Sequence, residues 1–226
     1  MTGAAPVGLV TGSAPFAGLP DNPAADLLAG IDGQVIGGIT IRTAELPVSR
    51  ARLPEVVQAL VAEHRPAFYV SLGLALGAPA LRFETTAINR TDFGVADNEG
   101  ARPTGGGPID PTGPDARFAT WDAPALTNAL LQADVPAVVS HHAGTHLCNL
   151  VLYTAVGAMS QAGLAGPVGF LHLPYTTAQV ARFLRDAPVR GDMAPTTPRA
   201  LPSLPIETQA LGLRVALECL SQSVSG

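Results

Sequence analysis

Cys148 lies in Ser140-His141-His142-Ala143-Gly144-Thr145-His146-Leu147-Cys148-Asn149, where an apolar run breaks at Gly144 and an apolar helical pattern begins at the cysteine itself. The first turn of a helix offers unpaired N–H groups and a partial positive charge, and both stabilise a thiolate relative to a thiol. An isolated intracellular cysteine is more often a small buried hydrophobe, so a nucleophile needs a base and a group to orient it. His172 closes the apolar run Val168-Gly169-Phe170-Leu171-His172, at the C-terminal end of a strand. In an open α/β sheet that edge is where sites form, and a helix starting at Cys148 opens on it. Glu84 is a carboxylate inside an otherwise apolar strand, which is costly unless it is paired. Each has a plainer alternative: the histidine is then a surface residue and the glutamate faces water. Together they have the composition of a nucleophile, base and orienting acid.

These residues must be positioned by alternating strand-length and helix-length patterns. The 226 residues are 47% hydrophobic and can fill one sizeable core, so one domain over 1–226 is expected. Strand candidates are 7–11, 35–41, 67–72, 135–140 and 168–173; helical periodicity marks 24–29, 54–63, 124–133, 148–161, 177–185 and 206–220. This alternation predicts a three-layer α/β/α sandwich with a mostly parallel twisted sheet and helices on both faces. Residues 81–89 form an additional strand, read as antiparallel because it follows 67–72 too closely for a helical crossover. From 90 to 121 the periodicity disappears, and a stretch of that length in a compact domain is functional or mobile. The proline-rich stretch 187–204 reads as a surface excursion.

Composition excludes several functions. All thirteen basic residues are arginine and the net charge is -5, with no basic cluster for a phosphate backbone, so nucleic acid is not an expected partner. Glycine and proline together make about a fifth of the chain, below the range of low-complexity disorder. Two cysteines, Cys148 and Cys219, cannot make a disulfide framework, and the N-terminus lacks the positive region of a signal peptide. No run reaches the length of a membrane span. A soluble, cytoplasmic protein is expected. Gly12 to Gly18 lacks the Gly-Lys-Ser/Thr ending of a phosphate loop, and Gly105 to Gly107 does not join a strand to a helix. Asp97, Asn98 and Asp110 are read as turn formers, not cation ligands.

Read in order, the segments resemble pyroglutamyl-peptidase I, also called pyrrolidone-carboxylate peptidase, a family of intracellular cysteine peptidases. Thr11-Gly12-Ser13-Ala14-Pro15-Phe16-Ala17-Gly18, with Asn22-Pro23 after it, is similar to the family's TGF-x-PFGG loop and following NP. Glu84-Thr85-Thr86-Ala87-Ile88-Asn89 resembles ERVAIN, and Asp97-Asn98-Glu99-Gly100 with Pro103 resembles DN-x-G-x-x-P. Ala143-Gly144-Thr145-His146-Leu147-Cys148-Asn149 resembles AGT-x-x-CN, and Gly169-Phe170-Leu171-His172-Leu173-Pro174-Tyr175 resembles GFIHVPY.

The resemblance implies a Cys148–His172–Glu84 triad that hydrolyses an N-terminal pyroglutamyl group from blocked peptides through a thioester, with no metal or organic cofactor. Phe16, Ser13, Leu74 and Asn22 fall in the substrate pocket on this basis, and association into a dimer or tetramer is compatible with the family. Five positions depart from its pattern: Ser13 replaces a pocket phenylalanine, Leu74 a glutamine and Gly94 an arginine, and His141 and His142 replace an asparagine and a small residue. One alternative is a related cysteine amidohydrolase of altered acyl specificity. Another is a non-catalytic or metal-binding homologue in which His141, His142, His146 and Cys148 meet one zinc ion.

Overall fold

A computed structural model describes residues 5–16, 18–186 and 201–225. The chain runs β1 (Val7–Ser13), α1 (Pro23–Ile31), β2 (Val35–Ile36), β3 (Ile39–Leu46), α2 (Leu53–His64), β4 (Phe68–Leu74), β5 (Leu81–Glu84) and β6 (Thr86–Ile88). It continues with β7 (Ala116–Phe118), α3 (Ala123–Gln132), β8 (Ala137–Ser140), α4 (Leu147–Gln161), β9 (Val168–Leu173), α5 (Thr177–Asp186) and α6 (Ile206–Ser225). Helix starts follow their chemistry. Asn22 and Asp122 accept the backbone N–H of Ala24 and Ala125, each with a proline in the first turn.

Seven strands form one sheet in the order β2-β3-β1-β4-β9-β5-β8. The neighbours β3, β1, β4 and β9 are parallel, β5 runs antiparallel to β9, and β8 is parallel to β5. The result is the mostly parallel three-layer sandwich expected from the alternation. Two strand expectations need correction. Residues 35–41 are not one strand: Gly37 and Gly38, at φ 55° and 83°, form a two-residue hairpin joining β2 to β3. Residues 81–89 divide at Thr85; β5 is the antiparallel strand, whereas β6 leaves the sheet and pairs with β7. The aperiodic stretch 90–121 therefore contributes a strand of its own.

Two cores flank the sheet. On one face α1, α3 and α6 cover Val10, Phe68, Val70, Leu72, Leu81, Phe83, Leu171 and Leu173. On the other, α2 and α4 cover Leu9, Tyr69, Val168 and Phe170. Burying each large side chain contributes about 1.5–3 kcal/mol, so both faces resist displacement of the strands. Of the proline-rich stretch, 187–200 lies outside the described residues. Among the described residues, no helix is long and apolar enough to cross a membrane.

Candidate active site

The parallel register of β4 with β9 and the antiparallel register of β9 with β5 bring distant chemistry to one sheet edge. Alternation along β9 puts Phe170 and His172 on the α4 side, and alternation along β5 puts Arg82 and Glu84 there too. Glu84 is fully buried, and its Oε1 lies 2.7 Å from His172 Nδ1 across 88 residues of sequence. The imidazole therefore donates Nδ1–H to the carboxylate, which leaves Nε2 for another partner. That partner is Cys148, whose side chain is within hydrogen-bonding reach of His172. Phe170 packs edge-on against the imidazole, with ring centroids 4.7 Å apart.

Opposing influences set the charge of His172. Burial favours the neutral ring, but the charge of the Cys148 sulfur, its hydrogen bond and the Glu84 carboxylate together outweigh it and push the pKa up to about 9. At neutral pH the ring therefore carries a proton. It can hold a proton close to the sulfur and deliver it elsewhere.

Cys148 occupies the first turn of α4. The helix begins after His146, which supplies no side-chain cap to the N–H groups of that turn. Gly144, at φ 80°, makes the sharp entry that aims this turn at the sheet edge. Beneath the sulfur, Gly73 of β4 provides clearance. A Cβ there would fall 2.6 Å from Phe170 Cζ and 3.3 Å from Cys148 Sγ.

A shallow recess opens beside the sulfur, lined by Ser13, Phe16, Asn22, Val48, Gly73, Leu74, His146, Leu147 and Cys148. The four positions expected at a pocket, Ser13, Phe16, Asn22 and Leu74, are all in this lining. Asn22 has both polar ends engaged within the chain, donating to Ser13 O and accepting from Ala24 N, so it shapes the wall. Gly73, Val48 and Leu147 were not among the pocket positions expected from the sequence, and His146 was weighed there only as a zinc ligand. The isolated glycine in the apolar run 67–74 was a signal of close approach by another group.

His146 ties the stretch 90–121 to this recess. Its ring packs 4.1 Å from Phe93 and 5.8 Å from Phe16, and Nε2 donates to Val95 O at 3.1 Å. Burial lowers its pKa, opposed by Val95 O and Asp97. Asn149, next to the cysteine, accepts from Ile88 N and donates to Ile88 O and Arg90 O. Asp97 accepts backbone N–H bonds from Arg50, Glu99 and Ala101; these outweigh the effect of burial and hold its carboxyl below the usual range. It serves as a turn former, as its sequence suggested.

The four-residue zinc grouping does not assemble. His142 Nδ1 accepts from Gly144 N, His141 is exposed, and among the described residues no three His, Cys, Asp or Glu side chains are arranged to hold a metal ion.

The fold is shared with solved structures. Pyrrolidone carboxyl peptidase from Pyrococcus furiosus superposes with a TM-score of 0.87 at 30% identity, covering 96% of this chain and 99% of that one. The corresponding structure from Thermococcus litoralis gives 0.85 at 28%, covering 96% and 94%. In sequence, the pyrrolidone-carboxylate peptidase of Thermococcus kodakarensis is 32% identical over 217 residues, spanning 96% of this chain and 97% of its own. Pyrrolidone-carboxylate peptidase 1 of Ralstonia nicotianae is 36% identical over 213 residues, spanning 94% and 92%. A family model described as pyroglutamyl peptidase matches residues 7–223. The chain belongs to the pyroglutamyl peptidase family.

Proposed function

We propose that this protein is a cysteine omega-peptidase that removes the pyroglutamyl residue from the N-terminus of blocked peptides. The observation that carries this is the line Glu84–His172–Cys148 beside a small, mainly apolar recess. Cys148 Sγ attacks the carbonyl carbon next to the lactam ring, and the negative charge that develops on oxygen faces backbone N–H groups in the first turn of α4. His172 then gives its Nε2 proton to the departing amine as the C–N bond breaks, leaving a thioester. Water attacks the thioester, His172 takes up its proton, and pyroglutamate leaves as the thiolate is restored. Glu84 holds the imidazole in the required tautomer and stabilises its charged form.

A second specificity is favoured by one observation: Ser13, standing where the family pattern has a phenylalanine, lines the recess. A site of this kind suits an acyl group more polar than pyroglutamate, and the enzyme is then an amidohydrolase with the same machinery. For the whole chain we further propose a single catalytic domain, a cytoplasmic location consistent with a free nucleophilic thiol, and association into a dimer or tetramer.

A panel of pyroglutamyl and aminoacyl amides, assayed with wild type and with Cys148→Ala, tests chemistry and selectivity together. Pyroglutamyl amides are expected to be cleaved fastest, with turnover absent in the variant. Turnover retained by Cys148→Ala removes the sulfur from the mechanism. A faster aminoacyl amide replaces the substrate assignment while keeping the chemistry. Iodoacetamide is expected to label Cys148 before Cys219, whose thiol pKa is pushed up by burial and by neighbouring Glu218.

A further inference from the structure

Arg82 stands two residues before Glu84 on β5, so both side chains leave the same face of the sheet, and the antiparallel register sets Arg82 directly across from His172. The buried Glu84 uses Oε1 for His172, while Oε2 has no hydrogen-bond partner among the described residues. A carboxylate in such surroundings keeps its charge only where cations compensate the lost hydration. Arg82 Nε lies 3.6 Å from Glu84 Oε1, an ion pair without a hydrogen bond. The guanidinium is fixed from its far end, because Nη2 donates to Ser140 Oγ at 2.9 Å. Ser140 is in turn the β8 register partner of Glu84. With 37% of its side chain exposed, Arg82 keeps part of its hydration while its charge acts on a buried anion.

We propose that Arg82 is a positioning residue of the peptidase machinery: held by Ser140, it supplies a fixed positive charge beside the Glu84 carboxylate and so supports the carboxylate in orienting His172. The titratable and charged groups facing this carboxylate are Arg82 on its own strand, His172 from β9 and, beyond the imidazole, Cys148 from α4; β8 contributes the uncharged Ser140 hydroxyl. Arg82 does not line the recess, so its effect falls on the chemical step and not on substrate binding. Removing the cation leaves the buried carboxylate with less compensation for its lost hydration, so its support of the imidazolium weakens, most on the acidic side.

The role rests on the peptidase function proposed above, and its test separates the two. Wild type, Arg82→Gln, Arg82→Lys and Ser140→Ala are compared across pH for cleavage of a pyroglutamyl reporter and, with no substrate present, for alkylation of Cys148 by iodoacetamide. In Arg82→Gln the acidic limb of kcat is expected to move up by about one pH unit, roughly a tenfold loss at the foot of the limb, with KM unchanged and recovery as pH rises. Arg82→Lys should stay near wild type, and Ser140→Ala should fall between. The alkylation profile should shift in the same direction. Coincident profiles for wild type and Arg82→Gln overturn the proposal, as does a loss uniform across pH that lysine does not restore. If the wild type leaves the reporter uncut, the substrate assignment fails, and the alkylation profiles alone decide the role of Arg82 by the same criteria.

Discussion

The two faces of the central sheet are built from the same strands yet do different work. Toward α1, α3 and α6 the strands present Val10, Phe68, Val70, Leu72, Leu81, Phe83, Leu171 and Leu173, all hydrocarbon. Toward α2 and α4 the intervening positions carry Thr11, Tyr69 and Ser71, hydrogen-bonded to one another, and then Gly73, Arg82, Glu84 and His172 at the edge where α4 begins. One face supplies cohesion and the other, rigid on that backing, supplies placement. The lesson is that a buried polar group is tolerable here because its strand is anchored from behind and its partner is delivered by register.

Substitutions on opposite faces test this division most strongly. Glu84→Gln keeps shape but removes the charge that orients His172, and is expected to lower kcat by about 10³–10⁴-fold, a loss that persists when turnover is corrected for the folded fraction. Leu72→Ala on the opposite face should do the reverse, costing about 2–5 kcal/mol of stability in denaturant unfolding while the folded fraction keeps its turnover. A Glu84→Gln protein that cleaves at the wild-type rate breaks the contrast.

The titration of His172 sharpens the contrast further. Its folded pKa of about 9 lies above its ordinary value near 6.5, so its contribution to stability is complete below about pH 6.5 and is lost as pH rises through about 9. Stability measured against a His172→Gln reference is therefore expected to decline across that window. Likewise kcat/KM should fall along an alkaline limb centred near pH 9, where the ring no longer holds a proton for the departing amine. Glu84→Gln should move this limb toward neutral pH. A limb that stays in place detaches the carboxylate from the imidazole.

The smallest effect concerns the recess. Ser13→Phe adds an apolar wall beside Phe16, and KM for a pyroglutamyl amide is expected to drop by about three- to tenfold, or ~0.6–1.4 kcal/mol, at the low end of what one apolar contact in a pocket contributes. Unchanged kinetics would place the substrate determinants at Leu74 or elsewhere in the lining.

Helices on both faces of a sheet explain why some of this could be read from residues and some could not. Strands buried on both sides appear as continuous apolar runs, so the pattern marks where β4 and β9 lie without saying which side chain faces which layer. Glu84 and His172 were legible because a charge or an imidazole interrupts such a run. Gly73 and Arg82 were not, since their meaning depends on what stands opposite: the sulfur of Cys148 above one, the carboxylate of Glu84 beside the other. The aperiodic stretch 90–121 offered no pattern, because it is held by polar bonds to Asn149, Thr145 and His146 and by isolated apolar anchors such as Phe93 and Trp121, with no periodic stripe.

Local chemistry alone determined the alternation of strands and helices, the proline and asparagine that open α1, the glycine before α4 and the presence of a thiol, an imidazole and a carboxylate as candidate reacting groups. Tertiary structure decided the rest: the hairpin at Gly37–Gly38, the departure of β6 from the sheet, and the register that sets His172 against Glu84. The physical reason is that propensity and capping act within a few residues. A hydrogen bond across 88 residues exists only after strand pairing has chosen one alignment among many, and side-chain packing on both faces makes that choice.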